Sequence, residues 1–344
     1  MKKICLIYTG GTIGMWPNEA GILLPPENPD NFLKIAPDLH EIAEFDFVTL
    51  LNKDSTNFCP DDWIAIAQAI YDRRNEGYAG FVVAHGTDTM HFSSSAVSLA
   101  LGKNLNVPVV FTGSQTDASV KHGDARTNLM RSFMVACSDL AEVALCFDHA
   151  VFRGARAQKR HESEFDAFES PAFPRLARLT KFVELFPEAK RRNPEIKDDI
   201  ELIAEFAPNI VQISLIPGLE THFLNSLISN EFCHGVILQS FGAGNVPDQG
   251  PFSLLEFIAK ASSFGKPVLV TSQFPANSTT NTEYGPGKSA VEAGAIPTGN
   301  MTSACAMVKF RWVLAQVMKT NLKNGERQKR IRELMNLSFV GELD

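Results

Sequence analysis

Short apolar runs alternate with amphipathic segments along the first half of the chain. The apolar runs at residues 4–8, 80–84 and 143–147 are typical of strands that are buried on both faces of a parallel sheet. Between them, residues 60–74 open with a proline and two acids and predict a helix. This alternation predicts an α/β fold, in which a doubly wound parallel sheet carries helices on both faces.

The second half repeats this pattern on a smaller scale, after a charged segment that contains two prolines. Its predicted elements are strands over 210–216, 235–239 and 267–271 and helices over 221–229, 254–262 and 301–319. The basic run that extends to Arg332 is interpreted as a solvated continuation of the last helix. We therefore predict an N-terminal domain over 1–185, a linker over 186–208 and a smaller C-terminal α/β domain over 209–344.

Composition narrows the class of protein. The 344 residues carry a formal net charge of −7, which argues against a surface that mainly binds nucleic acid. No apolar window approaches the roughly 18 residues that a membrane-spanning helix needs. The six cysteines form no C-x-x-C pair, so reduced thiols are expected. These features indicate a cytoplasmic protein that binds neither nucleic acid nor membranes.

The first strand ends in Thr9-Gly10-Gly11-Thr12, where the apolar texture breaks. Two adjacent glycines allow a ligand to approach the main chain closely. The run is neither a dinucleotide fingerprint, because Thr9 replaces its first glycine, nor a phosphate loop, because no Gly-Lys-Ser/Thr follows. Thr12 is therefore either a helix cap or a nucleophile beside backbone N–H groups that could bind an oxyanion.

Polar residues also follow the other strands predicted for this sheet. Each of three polar runs comes within two residues of the end of an apolar run: Asp54-Ser55-Thr56-Asn57, Gly86-Thr87-Asp88-Thr89 and Thr112-Gly113-Ser114-Gln115. The carboxyl ends of parallel strands meet at one edge of the sheet, where open α/β folds bind their ligands. The sequence thus predicts one pocket lined by Thr12, Ser55, Thr87 and Asp88.

With these motifs the chain resembles the bacterial L-asparaginase/glutaminase family, and the cytoplasmic type is the most similar. The resemblance extends over nearly the whole chain and rests on the order of seven motifs. They are T-G-G-T-I-G, H-G-T-D-T-M, T-G-S-Q, R-G-A-R-A-Q-K, F-D-A-F-E-S-P, S-F-G-A-G-N and N-L-S-F-V-G-E-L-D. The resemblance implies an asparaginase-like N-terminal domain that carries the active site, and a homodimer or homotetramer.

The resemblance also implies roles for particular residues. Thr12 matches the acyl-accepting nucleophile, and the other catalytic positions match Thr87, Asp88 and Lys159. The substrate-binding positions that it implies are Gly11, Ser55, Thr56, Gly86, Thr87 and Asp88. Without the resemblance, Lys159 would be read as one solvated charge in a run of charged residues. A lysine beside a carboxylate and a threonine can relay a proton once desolvation lowers its pKa.

The chain departs from the family around the predicted substrate. Family members carry a tyrosine on the loop after the first strand, whereas residues 15–45 contain none and Gly21-Ile22-Leu23 stands at the matching place. Isoleucine cannot pass a proton, so more of the activation of Thr12 is expected to rest on Thr87 or Lys159. The final helix also lacks a glutamate that the family has near its start, for which Glu283 is a candidate replacement.

Three functions are compatible with the sequence. The leading hypothesis is an amidohydrolase that converts L-asparagine and water to L-aspartate and ammonia through a threonine acyl-enzyme, with possible glutaminase side activity. The second is the ammonia-producing subunit of a tRNA-dependent amidotransferase, and the third a weakened protein that only binds asparagine or aspartate. No cofactor or metal is expected, since the eight histidines show no metal-ligand spacing. His85 is interpreted as a core residue, and Thr89 and Ser114 as supporting hydroxyls.

Overall fold

The computed structural model describes residues 1–25, 29–196, 199–274 and 285–344. The chain forms two compact units, Met1–Ala204 and Glu205–Asp344. Part of the segment that was predicted as a linker packs within the first unit. The backbone N–H of Lys190 donates to the Glu142 carboxylate at 2.8 Å, and its Nζ donates to the Leu105 carbonyl at 2.9 Å. Glu283, the candidate replacement glutamate, lies outside the described residues.

The first unit is built on one eight-stranded sheet and two short hairpins. Its strands are β1 (Lys3–Tyr8), β2 (Trp16–Pro17), β3 (Leu23–Leu24), β4 (Glu44–Thr49), β5 (Gly80–Ala84), β6 (Val109–Thr112), β7 (Val143–Phe147), β8 (Ala150–Arg153), β9 (Gln158–Lys159), β10 (Phe168–Glu169), β11 (Ala177–Leu179) and β12 (Val183–Leu185). The sheet order is β12-β11-β8-β7-β6-β5-β1-β4, while β2 pairs with β3 and β9 with β10. Five strands run parallel and β8, β11 and β12 join antiparallel, so the predicted parallel sheet is mixed at one end.

The described part of the first unit contains five helices, which cover this sheet. They are α1 (Pro29–Ile35), α2 (Leu39–Ile42), α3 (Pro60–Arg73), α4 (Met90–Leu101) and α5 (Ala125–Ala136). Helix α3 begins where the sequence predicts, since Pro60 lacks the N–H that a first helical position leaves unpaired, and the Asp62 carboxylate accepts the Cys59 N–H. Helix α4 is buried along nearly its whole length although it carries four serines.

The order of the parallel strands locates a ligand-binding edge. In chain order, β1, β4, β5, β6 and β7 occupy the sheet as 2-1-3-4-5, so the winding reverses between β1 and β5. Tyr8 and Ala84 are register partners, which makes the two strands end at the same level. Open α/β sheets bind ligands at such a switch point. The two loops that begin here carry Thr12 and Thr87.

The second unit has its own parallel sheet and core. Its strands are β13 (Ile210–Ser214), β14 (Gly235–Ser240), β15 (Val268–Ser272) and β16 (Ile296–Pro297), in the order β13-β14-β15-β16, and its helices are α6 (Thr221–Ser229), α7 (Leu255–Ser263), α8 (Gly285–Glu292), α9 (Ser303–Met318) and α10 (Asn324–Asn336). The prediction of one continued last helix is wrong. Helix α9 ends at Met318, and α10 is a separate helix that buries Ile331, Leu334 and Met335. Within the described ranges, no helix is long and apolar enough to cross a membrane.

Candidate active site

The turn after β1 requires glycine. Gly11 has φ +86° and ψ 163°, a conformation that is almost confined to glycine. A Cβ atom on Gly11 would lie 2.6 Å from the Gly86 nitrogen, so the turn packs backbone to backbone against the loop after β5. A short 3-10 turn, Thr12–Gly14, follows. The two glycines thus bring Thr12 to the edge shared by β1 and β5.

The hydroxyl of Thr12 is held by the loop after β6. Its Oγ1 donates to the Ser114 carbonyl at 2.7 Å, and the Ser114 Oγ donates in turn to the Thr116 carbonyl at 2.5 Å. The Ala118 N–H also donates to the Met15 carbonyl at 3.2 Å, which joins the two loops a second time. The sequence analysis considered only the hydroxyl of Ser114. In the structure it is the main-chain carbonyl of Ser114 that accepts the hydrogen bond from Thr12. Backbone acceptors carry no signal in the residue type.

Lys159 lies beside Thr87 and Asp88. Its Nζ is 2.8 Å from Thr87 Oγ1 and 2.6 Å from Asp88 Oδ1, and its side chain is 12% exposed. The charged residues around Lys159 in the sequence would indicate a solvated side chain. The structure shows instead that Lys159 is largely buried. The side chain of Asp88 is 55% exposed, so this carboxylate faces solvent on its other side.

The Thr87 hydroxyl lies in a chain of hydrogen bonds. It accepts from Lys159 Nζ and donates to Gln115 Oε1 at 3.2 Å. The Gln115 amide nitrogen donates to the Glu164 carbonyl at 3.1 Å, in the segment that follows Lys159. In this arrangement a proton of the Lys159 ammonium points at the Thr87 oxygen. Gln115 was not predicted as a site residue, although the T-G-S-Q motif contains it.

Two buried histidines, His85 and His91, flank the loop that carries Thr87 and Asp88. His85 is fully buried, its ring lies 4.3 Å from the Phe58 ring between centroids, and burial lowers its pKa to about 4. Its Nδ1 is 2.7 Å from the Gly86 carbonyl, which makes it the hydrogen-bonded core histidine that was expected. Burial, together with the positive charge of Lys159, lowers the pKa of His91 to about 3. Both rings are neutral at neutral pH.

Ser55 and Thr56 occupy different environments. Ser55 is buried, and a Cβ on Gly86 would lie 2.7 Å from its Oγ, so Ser55 borders the loop after β5. Its carbonyl also accepts the Thr89 hydroxyl at 2.7 Å, which agrees with the supporting role expected of Thr89. Thr56 is exposed, and its hydroxyl donates to the Asp54 carboxylate at 2.7 Å. The loops after β1, β4 and β5 therefore adjoin one another, as the strand pattern predicts.

The loop after the nucleophile forms the β2–β3 hairpin and presents apolar side chains. Ile22, Leu23 and Leu24 are 60%, 40% and 46% exposed. None of them can donate or accept a proton. These three side chains thus offer Thr12 no hydroxyl, and the Thr12 hydroxyl is oriented by the Ser114 carbonyl.

Two family profiles match the chain, one for each part of the fold. The profile described as asparaginase, N-terminal, matches residues 3–191, and the profile described as glutaminase/asparaginase C-terminal domain matches residues 209–335. The L-asparaginase of Thermococcus kodakarensis is 32% identical over 343 residues, covering 99% of each chain. L-asparaginase 1 of Escherichia coli is 32% identical over 352 residues, covering 99% of this chain and 98% of the relative. The chain therefore belongs to the asparaginase family of amide hydrolases.

A third relative has a different name. It is one subunit of the glutamyl-tRNA(Gln) amidotransferase of Methanothermobacter thermautotrophicus, 31% identical over 354 residues, covering 100% of this chain and 77% of the relative. Among solved structures, the thermostable L-asparaginase from T. kodakarensis superimposes with a TM-score of 0.88 at 31% identity, covering 99% of each chain. L-asparaginase I from Vibrio cholerae superimposes with a TM-score of 0.84 at 31% identity, covering 100% of this chain and 99% of that one.

Proposed function

We propose that this enzyme hydrolyses the side-chain amide of L-asparagine to L-aspartate and ammonia, with Thr12 as the acyl acceptor. The observation that carries the proposal is the contact of Lys159 with both Thr87 and Asp88 beside the Gly11–Gly86 junction. Thr12, on the adjoining loop, is the proposed nucleophile. The Thr87 hydroxyl, the Asp88 carboxylate and the largely buried ammonium of Lys159 form the proposed proton relay.

In the first half-reaction the Thr12 oxygen attacks the amide carbon and its proton passes to the leaving nitrogen. Ammonia departs and a β-aspartyl ester of Thr12 forms. The proton route is assigned to the Thr87–Lys159 pair, because residues 15–45 contain no tyrosine. Lys159 releases one proton towards the leaving nitrogen and regains one from Thr12 through Thr87, so it ends in its starting protonation state. The backbone N–H groups around Gly11 stabilise the oxyanion, an effect worth several kcal/mol for a well-placed donor.

In the second half-reaction water attacks the ester, Thr12 takes back its proton and L-aspartate leaves. The partly exposed carboxylate of Asp88 binds the α-ammonium of the substrate, while it also holds Lys159 in place. Ser55 and the main chain around Gly86 bind the α-carboxylate.

The enzyme is further proposed to work in the cytoplasm as a homo-oligomer. All six cysteines are free thiols, and four of them, Cys5, Cys146, Cys233 and Cys305, are buried. Free buried thiols are typical of proteins in reducing compartments.

An ammonia-release assay with purified protein tests the activity and the nucleophile together. Wild type should release ammonia from L-asparagine, and Thr12→Ala should abolish the release, whereas the exposed control Thr180→Ala should retain it. No release from asparagine, glutamine or related amides at millimolar concentration would overturn the proposal. Binding of asparagine by calorimetry without turnover would favour a protein that only binds the amino acid.

A second candidate function is that of an amidotransferase subunit. The relative with that name is 31% identical to this chain, nearly the same as the 32% of the L-asparaginase from T. kodakarensis. Under this alternative the protein would release ammonia for a partner that holds a tRNA. Incubation with cell extract, affinity purification and analysis of bound chains and RNA test it. Stoichiometric recovery of tRNA and a partner chain, with little release from free asparagine, would replace the asparaginase proposal.

A further inference from the structure

A separate pocket lies within the second unit, at the amino ends of its strands. It has a volume of about 370 Å³ and lies between the segments that precede β14 and β15 and one face of the last two helices. Helix α10 contributes Asn324, Arg327 and Ile331, which are spaced three and four residues apart and so share one face. The active-site loops instead follow the carboxyl ends of strands in the first unit. The proposed catalytic residues do not contribute to the lining of this pocket.

The pocket lining is basic. It includes His234, Lys266 and Arg327, and no aspartate or glutamate is among its described lining residues. Desolvation, followed by the nearby charge of Lys266, lowers the pKa of His234. Glu231 and Glu326 are close in sequence, but the Glu326 carboxylate accepts the Lys323 N–H at the start of α10. A lysine and an arginine thus line a pocket whose described lining contains no carboxylate.

The cations have spare donors. Lys266 Nζ donates to the carbonyls of Asn230, at 2.8 Å, and Cys233, which leaves its third proton. Arg327 Nη2 makes one long contact with the Leu322 carbonyl at 3.4 Å. Its Nε is buried and has no hydrogen-bond partner among the described residues. A charged group of a ligand would form charge-assisted hydrogen bonds with the donors of these two side chains that face the pocket.

The remaining wall is apolar. Leu314 and Met318 lie one turn apart on α9, and Phe264 follows α7 with 53% of its surface exposed. Such a mixture of apolar surface and a few converging charged groups is typical of small-molecule sites. We propose that this pocket binds a small organic anion, whose charged group contacts Lys266 and Arg327 and whose apolar part packs on Phe264 and Leu314.

Calorimetry on the full chain tests this site with four probes. Phenyl phosphate and benzoate carry both features and distinguish a phosphate from a carboxylate ligand, inorganic phosphate lacks the apolar part, and benzyl alcohol lacks the charge. Phenyl phosphate or benzoate should bind, and the other two should bind at least about tenfold more weakly. Absence of binding by both aromatic anions at millimolar concentration would overturn the proposal, as would equal binding of benzyl alcohol.

Variants locate the binding. Arg327→Gln should weaken it at least about tenfold, the loss expected for a hydrogen bond to a charged group, while Arg330→Gln on the exposed side of α10 should not. Phe264→Asp places a carboxylate at an exposed position of the lining, so it should abolish binding without unfolding the unit. Its control is Phe223→Asp on α6, where the side chain is 65% exposed outside the pocket. Unchanged affinity in Arg327→Gln and Phe264→Asp would place the probe elsewhere and refute the site.

Discussion

The ammonium of Lys159 lies 2.8 Å from the hydroxyl oxygen of Thr87, although the two residues are 72 positions apart in the sequence. Lys159 lies on the short strand β9, which pairs with β10 outside the eight-stranded sheet, and Thr87 lies on the loop after β5. The proton chemistry of the proposed enzyme depends on this contact, because the loop that follows the nucleophile contains no tyrosine.

Replacement of Lys159 by methionine should lower kcat by about 10²–10⁴-fold, the range for loss of a general acid or base. Methionine approximates the length of the side chain but cannot hold a proton. Steady-state ammonia release measures the effect, and Lys181→Met, at an exposed lysine, is the matched control. A kcat within a factor of about two of wild type would remove Lys159 from the proposed relay.

Replacement of Gly11 by alanine should destabilise the first unit and abolish activity. The backbone conformation alone costs about 1–3 kcal/mol for a residue with a Cβ, and the new atom would clash with the main chain at Gly86. Gly77→Ala is the control, since Gly77 also has a positive φ, +80°, but nothing lies within 4 Å of the position of a Cβ. Urea unfolding should show a larger loss at Gly11. Equal losses would contradict the close packing of the two loops.

Stability should fall as the pH falls from 6.5 towards about 3. Burial lowers the pKa of His85 to about 4 and that of His91 to about 3 in the folded chain, so between these values and 6.5 the unfolded chain binds more protons. The stabilisation is thus complete above pH 6.5 and lost on acidification, on the order of a few kcal/mol per histidine. Urea unfolding from pH 7 to pH 4 measures it.

A matched pair of variants assigns this acid loss. His91→Gln cannot titrate and should make stability less dependent on pH, whereas the exposed His122→Gln should leave the profile unchanged. An identical pH profile for wild type and His91→Gln would show that the buried ring does not cause the loss.

A buried ion pair should make the second unit sensitive to the loss of one partner. Lys309 Nζ lies 2.7 Å from Glu342 Oε1 and both side chains are fully buried, while the carboxylate also accepts the Phe339 and Val340 N–H groups. Lys309→Met leaves this carboxylate uncompensated and should cost about 3–5 kcal/mol, whereas Lys309→Met with Glu342→Gln should cost less than the sum of the single variants.

The control for this double-mutant cycle is the exposed ion pair of Lys319 and Glu205. Removing one partner of this pair should lower the free energy of unfolding by no more than about 1 kcal/mol. Urea unfolding gives all the required free energies. Additive effects at Lys309 and Glu342 would mean that the two buried groups do not stabilise each other.

Residue patterns alone determined much of the fold. The strand β5 and the helix α6 were predicted with their observed bounds, because a short apolar run or an amphipathic segment between polar boundaries depends on local propensity. The strands β11 and β12 were not predicted. They are three residues long and pair antiparallel at one end of the sheet, so their formation depends on distant partners more than on their own residues.

The sequence also determined which loops meet at the site, since parallel strands deliver their carboxyl ends to one edge. Only the tertiary structure decided how the individual polar groups pair. The Ser114 carbonyl accepts the Thr12 hydroxyl, and Thr87 stands between Lys159 and Gln115. A main-chain acceptor has no residue type, and a lysine in a charged run is indistinguishable from a solvated one until folding buries it. Contacts of this kind depend on three-dimensional distance, which the order of residues does not contain.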